Sequence, residues 1–225
     1  MMARGFDDRA IAWILLVAMV VSLYMVFMYV PTEREMGIIQ RIFYFHVPLA
    51  WISFLAFLMV CIAGIQYLRQ RSRWWDALGT SAAEIGVLFS TLVLITGSIW
   101  AKPIWGTWWT WEPRLVTFLI LWFIYVGYLL LRAAAGDDER KARLAAVVGI
   151  VGFLDVPLVF FSARLLRGLS PVVFTRQGAG LAPPMLWTLL VSLATFTLLF
   201  VLLLRQRLFL ELARDEVESL KELVP

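Results

Sequence analysis

The fold class predicted for this chain is an all-α membrane bundle, and three observations predict it. Of its 225 residues 62% are hydrophobic, and mean hydropathy is +0.84, where about half apolar is usual for a soluble domain. The apolar residues gather in six runs, at 10–31, 47–68, 85–102, 115–131, 144–163 and 183–204. Each is close to the roughly 20 residues that a helix rising 1.5 Å per residue needs to cross hydrocarbon. Between the third and fourth runs, four of the 11 Trp crowd into residues 105–111. Open strands would leave backbone groups unpaired in lipid, so the runs read as helices. Nothing polar is long enough to fold separately, so residues 1–225 read as one membrane domain.

In chain order, the first run is longer than a signal h-region and meets no small-residue cleavage site, so it reads as an uncleaved span. Segment 33–46 is too short to span; Ile38, Ile39, Ile42 and His46 share a helical stripe, which predicts a short helix along the outer surface. Pro48 suits the first turn of the second span. Residues 69–84 read as a basic loop with Trp74 and Trp75 as interface anchors and Glu84 at its edge. Residues 132–143 mix charges of both signs and read as a solvated turn. Asp155 and Pro157 lie inside the fifth run; a carboxyl there is costly, and a neutral, hydrogen-bonded Asp beside a Pro kink is favoured over a proton relay. The tail 205–225 carries apolar residues at helical spacing, either an extension of the last helix or a docking face.

Six spans put both termini on one side. The segments on that side hold 13 Lys and Arg against 7 on the other, so both termini are expected in the cytoplasm and the Trp-rich loop outside, in a bacterial plasma (inner) membrane. The formal charge of +4 needs no nucleic acid to explain it. Cys61 is the single Cys, which excludes an intramolecular disulfide and C-x-x-C chemistry.

The loop Trp105-Gly106-Thr107-Trp108-Trp109-Thr110-Trp111-Glu112-Pro113-Arg114 therefore faces outward. An interfacial belt accounts for one or two Trp per helix end; four so close build a platform for a large, flat, apolar ligand. Helical spacing groups Trp105, Trp108 and Trp109, strand alternation groups Trp105, Trp109 and Trp111, and periodicity does not choose between them. His46 is the chain's one His and falls on the same side. At a helix start the dipole disfavours the protonated ring, and neutral imidazole is the form that binds metal. These features make His46 the expected axial ligand of a haem iron. The two propionates of a haem would need cations, and the outer side offers Arg34, Arg41, Lys102, Arg114, Arg164, Arg167 and Arg176. Arg114 stands out because the helix dipole opposes a cation in a first turn, a cost that Glu112 or a propionate offsets. Without C-x-x-C-H, covalent attachment is not expected. No nucleophile–base pair forms around one His and no phosphate-binding glycine loop is present, so an enzyme is not expected.

The run WGTWWTWEPRLVT resembles the tryptophan-rich WWD signature of haem-handling membrane proteins, W-G-x-x-W-x-W-D-x-R-L-T. Residues 41–51, R-I-F-Y-F-H-V-P-x-A-W, resemble those of the cytochrome c maturation protein C (haem exporter protein C) family. The resemblance extends over nearly the whole chain. It implies a protein that holds haem b non-covalently at the outer face. Such a protein passes it to a membrane-anchored haem chaperone, beside the ABC transporter subunits of the maturation system, its A and B proteins, and a small single-span protein, its D component. It implies a site of His46, Trp105, Trp108, Trp109, Trp111, Glu112, Arg114 and Arg41. Three positions depart from the pattern: Glu112 replaces Asp, Val116 replaces Thr, and the stretch where the family carries a second His reads Arg167-Gly168-Leu169-Ser170-Pro171. Two imidazoles from one chain are thus impossible, and the second axial position falls to water, Met185, Tyr44 or a partner's group.

Overall fold

The computed structural model describes residues 8–134, 138–165, 174–175, 178–179 and 181–223. It is all-α, with six helical stretches among the described residues long and apolar enough to cross a membrane. The order is α1 (Asp8–Tyr24, closed by a π turn at Met25–Tyr29), a 3-10 turn (Ile38–Ile42), α2 (Phe43–Gln70), α3 (Arg73–Trp105), α4 (Pro113–Ala133), α5 (Asp138–Phe153), α6 (Asp155–Leu165) and α7 (Pro183–Leu223). A two-residue antiparallel pair, β1 (Phe174–Thr175) with β2 (Gly178–Ala179), precedes α7.

Helix α2 is the hub, packed along α3, α5 and α7. Its Ile52, Ala56, Phe57 and Val60 are fully buried, and the Phe57 ring stacks on Tyr125 of α4 at 3.7 Å. Small residues permit these approaches, the usual device where lipid gives no hydrophobic drive to helix pairing. A Cβ on Gly64 would sit 2.9 Å from the Ala146 carbonyl oxygen of α5.

Helices run past the apolar runs in three places. The expected loop 69–84 contracts to Arg71, in the left-handed conformation at φ 53°, and Ser72. The stretch Ala77-Leu78-Gly79-Thr80-Ser81-Ala82-Ala83 is helical and buried. Its low hydropathy reflects small interface residues rather than a solvated loop. The expected surface helix over 33–46 is shorter: a five-residue 3-10 turn that runs straight into α2, so Pro48 is the sixth residue of that helix rather than in its first turn. The tail continues α7 to Leu223. The fifth run does break as its Pro suggests. Pro157 cannot donate to Phe153, and α5 gives way to α6 at Leu154. Asp155 is buried there, with Oδ2 lacking a hydrogen-bond partner, so that oxygen departs from the satisfied carboxyl expected.

At the end of the bundle away from the Trp loop, charges alternate along one chain of ion pairs. Arg132 meets Asp76 at 2.8 Å, Asp76 also takes Arg73, and Arg73 reaches Glu211 at 3.3 Å. Glu211 takes Arg207 at 2.8 Å, and Arg207 grips Glu84 with two nitrogens. The fork geometry suits Arg alone. Glu84 thus fastens α3 to α7 rather than merely marking an interface. Replacing Arg207 by Ala takes from Glu84 its two bonds across to α7 and leaves Glu211 with Arg73 alone, and is expected to cost about 1–3 kcal/mol. Thermal unfolding in detergent should show a clear drop, smaller for Arg207→Lys; an unchanged midpoint would contradict this role.

Candidate functional site

Helix α3 ends at Trp105 because Gly106 takes φ +75° and its N–H bonds the Lys102 carbonyl. This is the left-handed cap that favours glycine. The Lys102 ammonium donates to the Gly106 carbonyl at 2.9 Å and lies 5.8 Å from the Trp108 ring centre. Residues 106–112 are then neither helix nor strand, so neither periodicity applies. The Thr107 hydroxyl donates to the Trp109 carbonyl at 3.0 Å and shapes the bend. Glu112 caps α4, its carbonyl accepting from Leu115 and Val116, with Pro113 at the first helical position.

Between α2, α3 and this loop lies a cavity of about 220 Å³. His46, Trp105, Trp108, Trp109 and Arg114 all line it. Trp111, Glu112 and Arg41 do not. Trp111 stands 77% exposed, edge-on to Trp109 at 6.0 Å; Glu112 is buried at its cap; Arg41, on the 3-10 turn, keeps a buried Nε without a hydrogen-bond partner. Met185 and Tyr44 pack together in a separate cluster with Val26 and Leu189, away from the lining. The stretch 166–171 and the side chains of Arg164 and Arg176 lie outside the described residues.

His46 is seated by α3. Its Nδ1 is 2.9 Å from the Thr96 hydroxyl oxygen. That hydroxyl has one proton, and it donates it to the Leu92 carbonyl at 2.7 Å. With its proton on that carbonyl, the Thr96 oxygen accepts from the ring, an arrangement that favours the Nδ1–H tautomer and a free Nε2 lone pair. Gly97 makes the room: a Cβ there would meet His46 Cε1 at 3.1 Å. Trp100 closes the other side, edge-on at 5.6 Å. Thr96, Gly97 and Trp100 carry no signal in segment 33–46, and sequence reasoning misses them. Trp100 is the most accessible to it of the three, one helical turn behind the Trp cluster.

Apart from the Ser98 hydroxyl the rest of the lining is apolar and, among the described residues, contains no carboxylate. Two indole N–H groups on lining residues, those of Trp100 and Trp109, are buried and have no hydrogen-bond partner. Unpaired buried donors are costly and call for an acceptor. With Arg114 they offer one cation and two neutral donors to something anionic, above an aromatic floor, beside a free imidazole nitrogen. A haem fits this donor set: an iron for Nε2, a flat macrocycle for the indoles, and propionates for Arg114 and the N–H groups.

One further lining residue, Met36, also escapes sequence reasoning. It ends a turn hooked by Glu33, whose Oε2 accepts the N–H of Glu35 at 2.8 Å and of Met36 at 2.5 Å. The Met36 bond holds the Glu33 carboxyl below the usual carboxylate range. The hook is therefore complete at neutral pH and is lost as pH falls through that lowered value.

Fold and cavity together define a class: a multi-pass, all-α membrane protein with an indole-lined, histidine-bearing cavity at one end of the bundle. The chain belongs to the Heme exporter protein C family, whose model matches residues 4–222. It is 38% identical over 193 residues to the Heme exporter protein C of Bradyrhizobium diazoefficiens, covering 85% of this chain and 73% of that one. It is 31% identical over 192 residues to the protein of the same name from Escherichia coli, covering 80% and 78%. A putative cytochrome c biosynthesis ccmC-like mitochondrial protein of Arabidopsis thaliana is 31% identical over 221 residues, covering 95% and 83%.

The seat of His46 has a direct spectroscopic test, because a chain with one His gives one imidazole signal set. In protein labelled with 15N-histidine, Nδ1 is expected to carry the proton and Nε2 to be unprotonated at neutral pH. Thr96→Val should shift the ring toward the Nε2–H tautomer. A wild-type ring protonated on Nε2 would contradict the assignment.

Proposed function

We propose that this chain binds haem b non-covalently at the outer face of the bacterial plasma membrane and hands it to a membrane-anchored haem chaperone during c-type cytochrome maturation. In this reading it works within an ABC-type complex, beside two transporter subunits and a small single-span protein, with both termini cytoplasmic. The observation that carries the reading is the His46 seat: a ring anchored through Nδ1 to Thr96, on a cavity floored by Trp105, Trp108 and Trp109.

A bound haem supplies an iron that accepts one nitrogen lone pair on its axis. His46 offers Nε2 with its tautomer and plane already set, so little ordering is needed on binding. Trp108 and Trp109 present apolar faces to a macrocycle. Arg114 and the unpaired indole N–H of Trp109 suit a propionate. The lack of a carboxylate among the described lining residues disfavours a cationic guest, for which an aromatic cage wants an acidic neighbour. The exposed Trp111 and Trp108 rings offer a surface on which a receiving protein can compete for the same macrocycle. A single strong protein ligand in a partly open cavity suits a carrier, which must release what it holds.

The family relationship supports the same direction, since its relatives are named for haem export and cytochrome c biosynthesis. Purified chain reconstituted with haem should show a Soret band that His46→Ala removes or strongly weakens. Trp109→Ala should weaken haem binding about tenfold, roughly 1.4 kcal/mol of lost stacking and hydrogen bonding. A wild-type protein with no haem spectrum, in detergent or with its partner subunits, would refute the reading.

A further inference from the structure

We propose that the Met36 thioether is the second protein ligand of the iron, joining His46 at the cavity that both residues line. The inference rests on the haem reading above and deepens it.

The chain has one imidazole, so a second ligand from this chain must be of another kind. Among the described residues, the cavity lining offers two further side chains with a lone pair suited to a metal: the sulfur of Met36 and the hydroxyl of Ser98. A neutral hydroxyl is a weak iron ligand, whereas a thioether opposite imidazole is an established haem pair. The other donors stand elsewhere. Tyr44 is fully buried among Phe43, Val26 and Met185, and its hydroxyl accepts from the Gln40 amide at 3.3 Å. Cys61 lies in the middle of α2 and is not part of the lining.

The backbone around Met36 is built to hold one position. Glu33 accepts the Met36 N–H, Glu33 and Gly37 form an antiparallel bridge, and Gly37 takes φ 61°, ψ −143°, a conformation open to glycine. The 3-10 turn Ile38–Ile42 then leads without a break into α2 and His46. One short, continuous segment thus carries both ligands. The side chain of Met36 is itself unbranched and adaptable. A fixed backbone with a flexible sulfur can close on an iron and withdraw from it without moving a helix. His46 is then the retained ligand and Met36 the exchangeable one, the one whose loss opens the iron to a receiving protein. Coordination here replaces water by sulfur on the iron; no electron or proton is transferred.

The test uses the full-length chain in detergent, reconstituted with ferric haem b. Near-infrared magnetic circular dichroism and electron paramagnetic resonance are recorded for wild type, Met36→Leu, Met36→His and His46→Ala. Wild type is expected to be low-spin with a sulfur-to-iron charge-transfer band. Met36→Leu, which keeps the side chain's bulk, should retain haem but lose that band and become high-spin. Met36→His should restore a low-spin state of bis-imidazole type with a lower midpoint potential. A wild-type spectrum without the sulfur band, or one that Met36→Leu leaves unchanged, overturns the assignment while the haem reading stands. Wild type that takes up no haem, or haem spectra indifferent to His46→Ala, removes the haem reading itself and this inference with it.

Discussion

The hydrogen bond from His46 Nδ1 to Thr96 is the interaction on which the remaining arrangement depends. It joins α2 to α3 at one end of the bundle, and with the Thr96 proton on the Leu92 carbonyl it favours Nε2 as the available ring nitrogen. Gly97 lets the ring edge approach closely, since a Cβ there would sit 3.1 Å from His46 Cε1. Trp100 stands where it does because Thr96 and Trp100 lie one turn apart on the same helix. From there α3 continues to Trp105, the Gly106 cap turns the chain, and the indoles of the loop fold back over the same cavity. Loosening the Thr96 contact would free the ring to rotate and would release both the tautomer and the alignment with the floor.

A cavity at one end of a membrane bundle needs the helices fixed at the other, and the two ends use different chemistry. At the cavity end, the lining is aromatic and almost free of charge, with Arg114 as its one cation among the described residues. At the opposite end, Arg132, Asp76, Arg73, Glu211, Arg207 and Glu84 alternate in sign and tie α3, α4 and α7 together. Between them, Phe57 on Tyr125 and the glycines that admit them keep α2 close to its neighbours. Ion pairs at the membrane boundary and small residues within it supply rigidity that the open cavity cannot supply for itself.

The fold class was legible because apolar runs of spanning length allow little else. The ends of the helices were not. Hydropathy treats Gly79, Thr80, Ser81 and Ala82 as loop-like, yet small residues are what a close helix contact in lipid requires, so α3 begins well before its apolar run, at Arg73 rather than residue 85. Part of the cavity lining was legible for a chemical reason: His46 is unique in the chain, and the Trp density exceeds what an interface needs. Trp111, Glu112 and Arg41 neighbour the lining residues along the chain but do not themselves line the cavity, which proximity in sequence does not reveal. Thr96, Gly97 and Met36 were hidden because their place beside His46 or the cavity exists only once α2, α3 and the turn before α2 come together.

Electron cryomicroscopy of the haem-loaded chain, at a resolution that places the iron, tests the central claim most directly. Iron is expected at coordinate-bond length from His46 Nε2, with the macrocycle on the Trp108 and Trp109 side and a propionate toward Arg114. Iron density away from His46, or a macrocycle lying on the lipid face of the bundle, would contradict it.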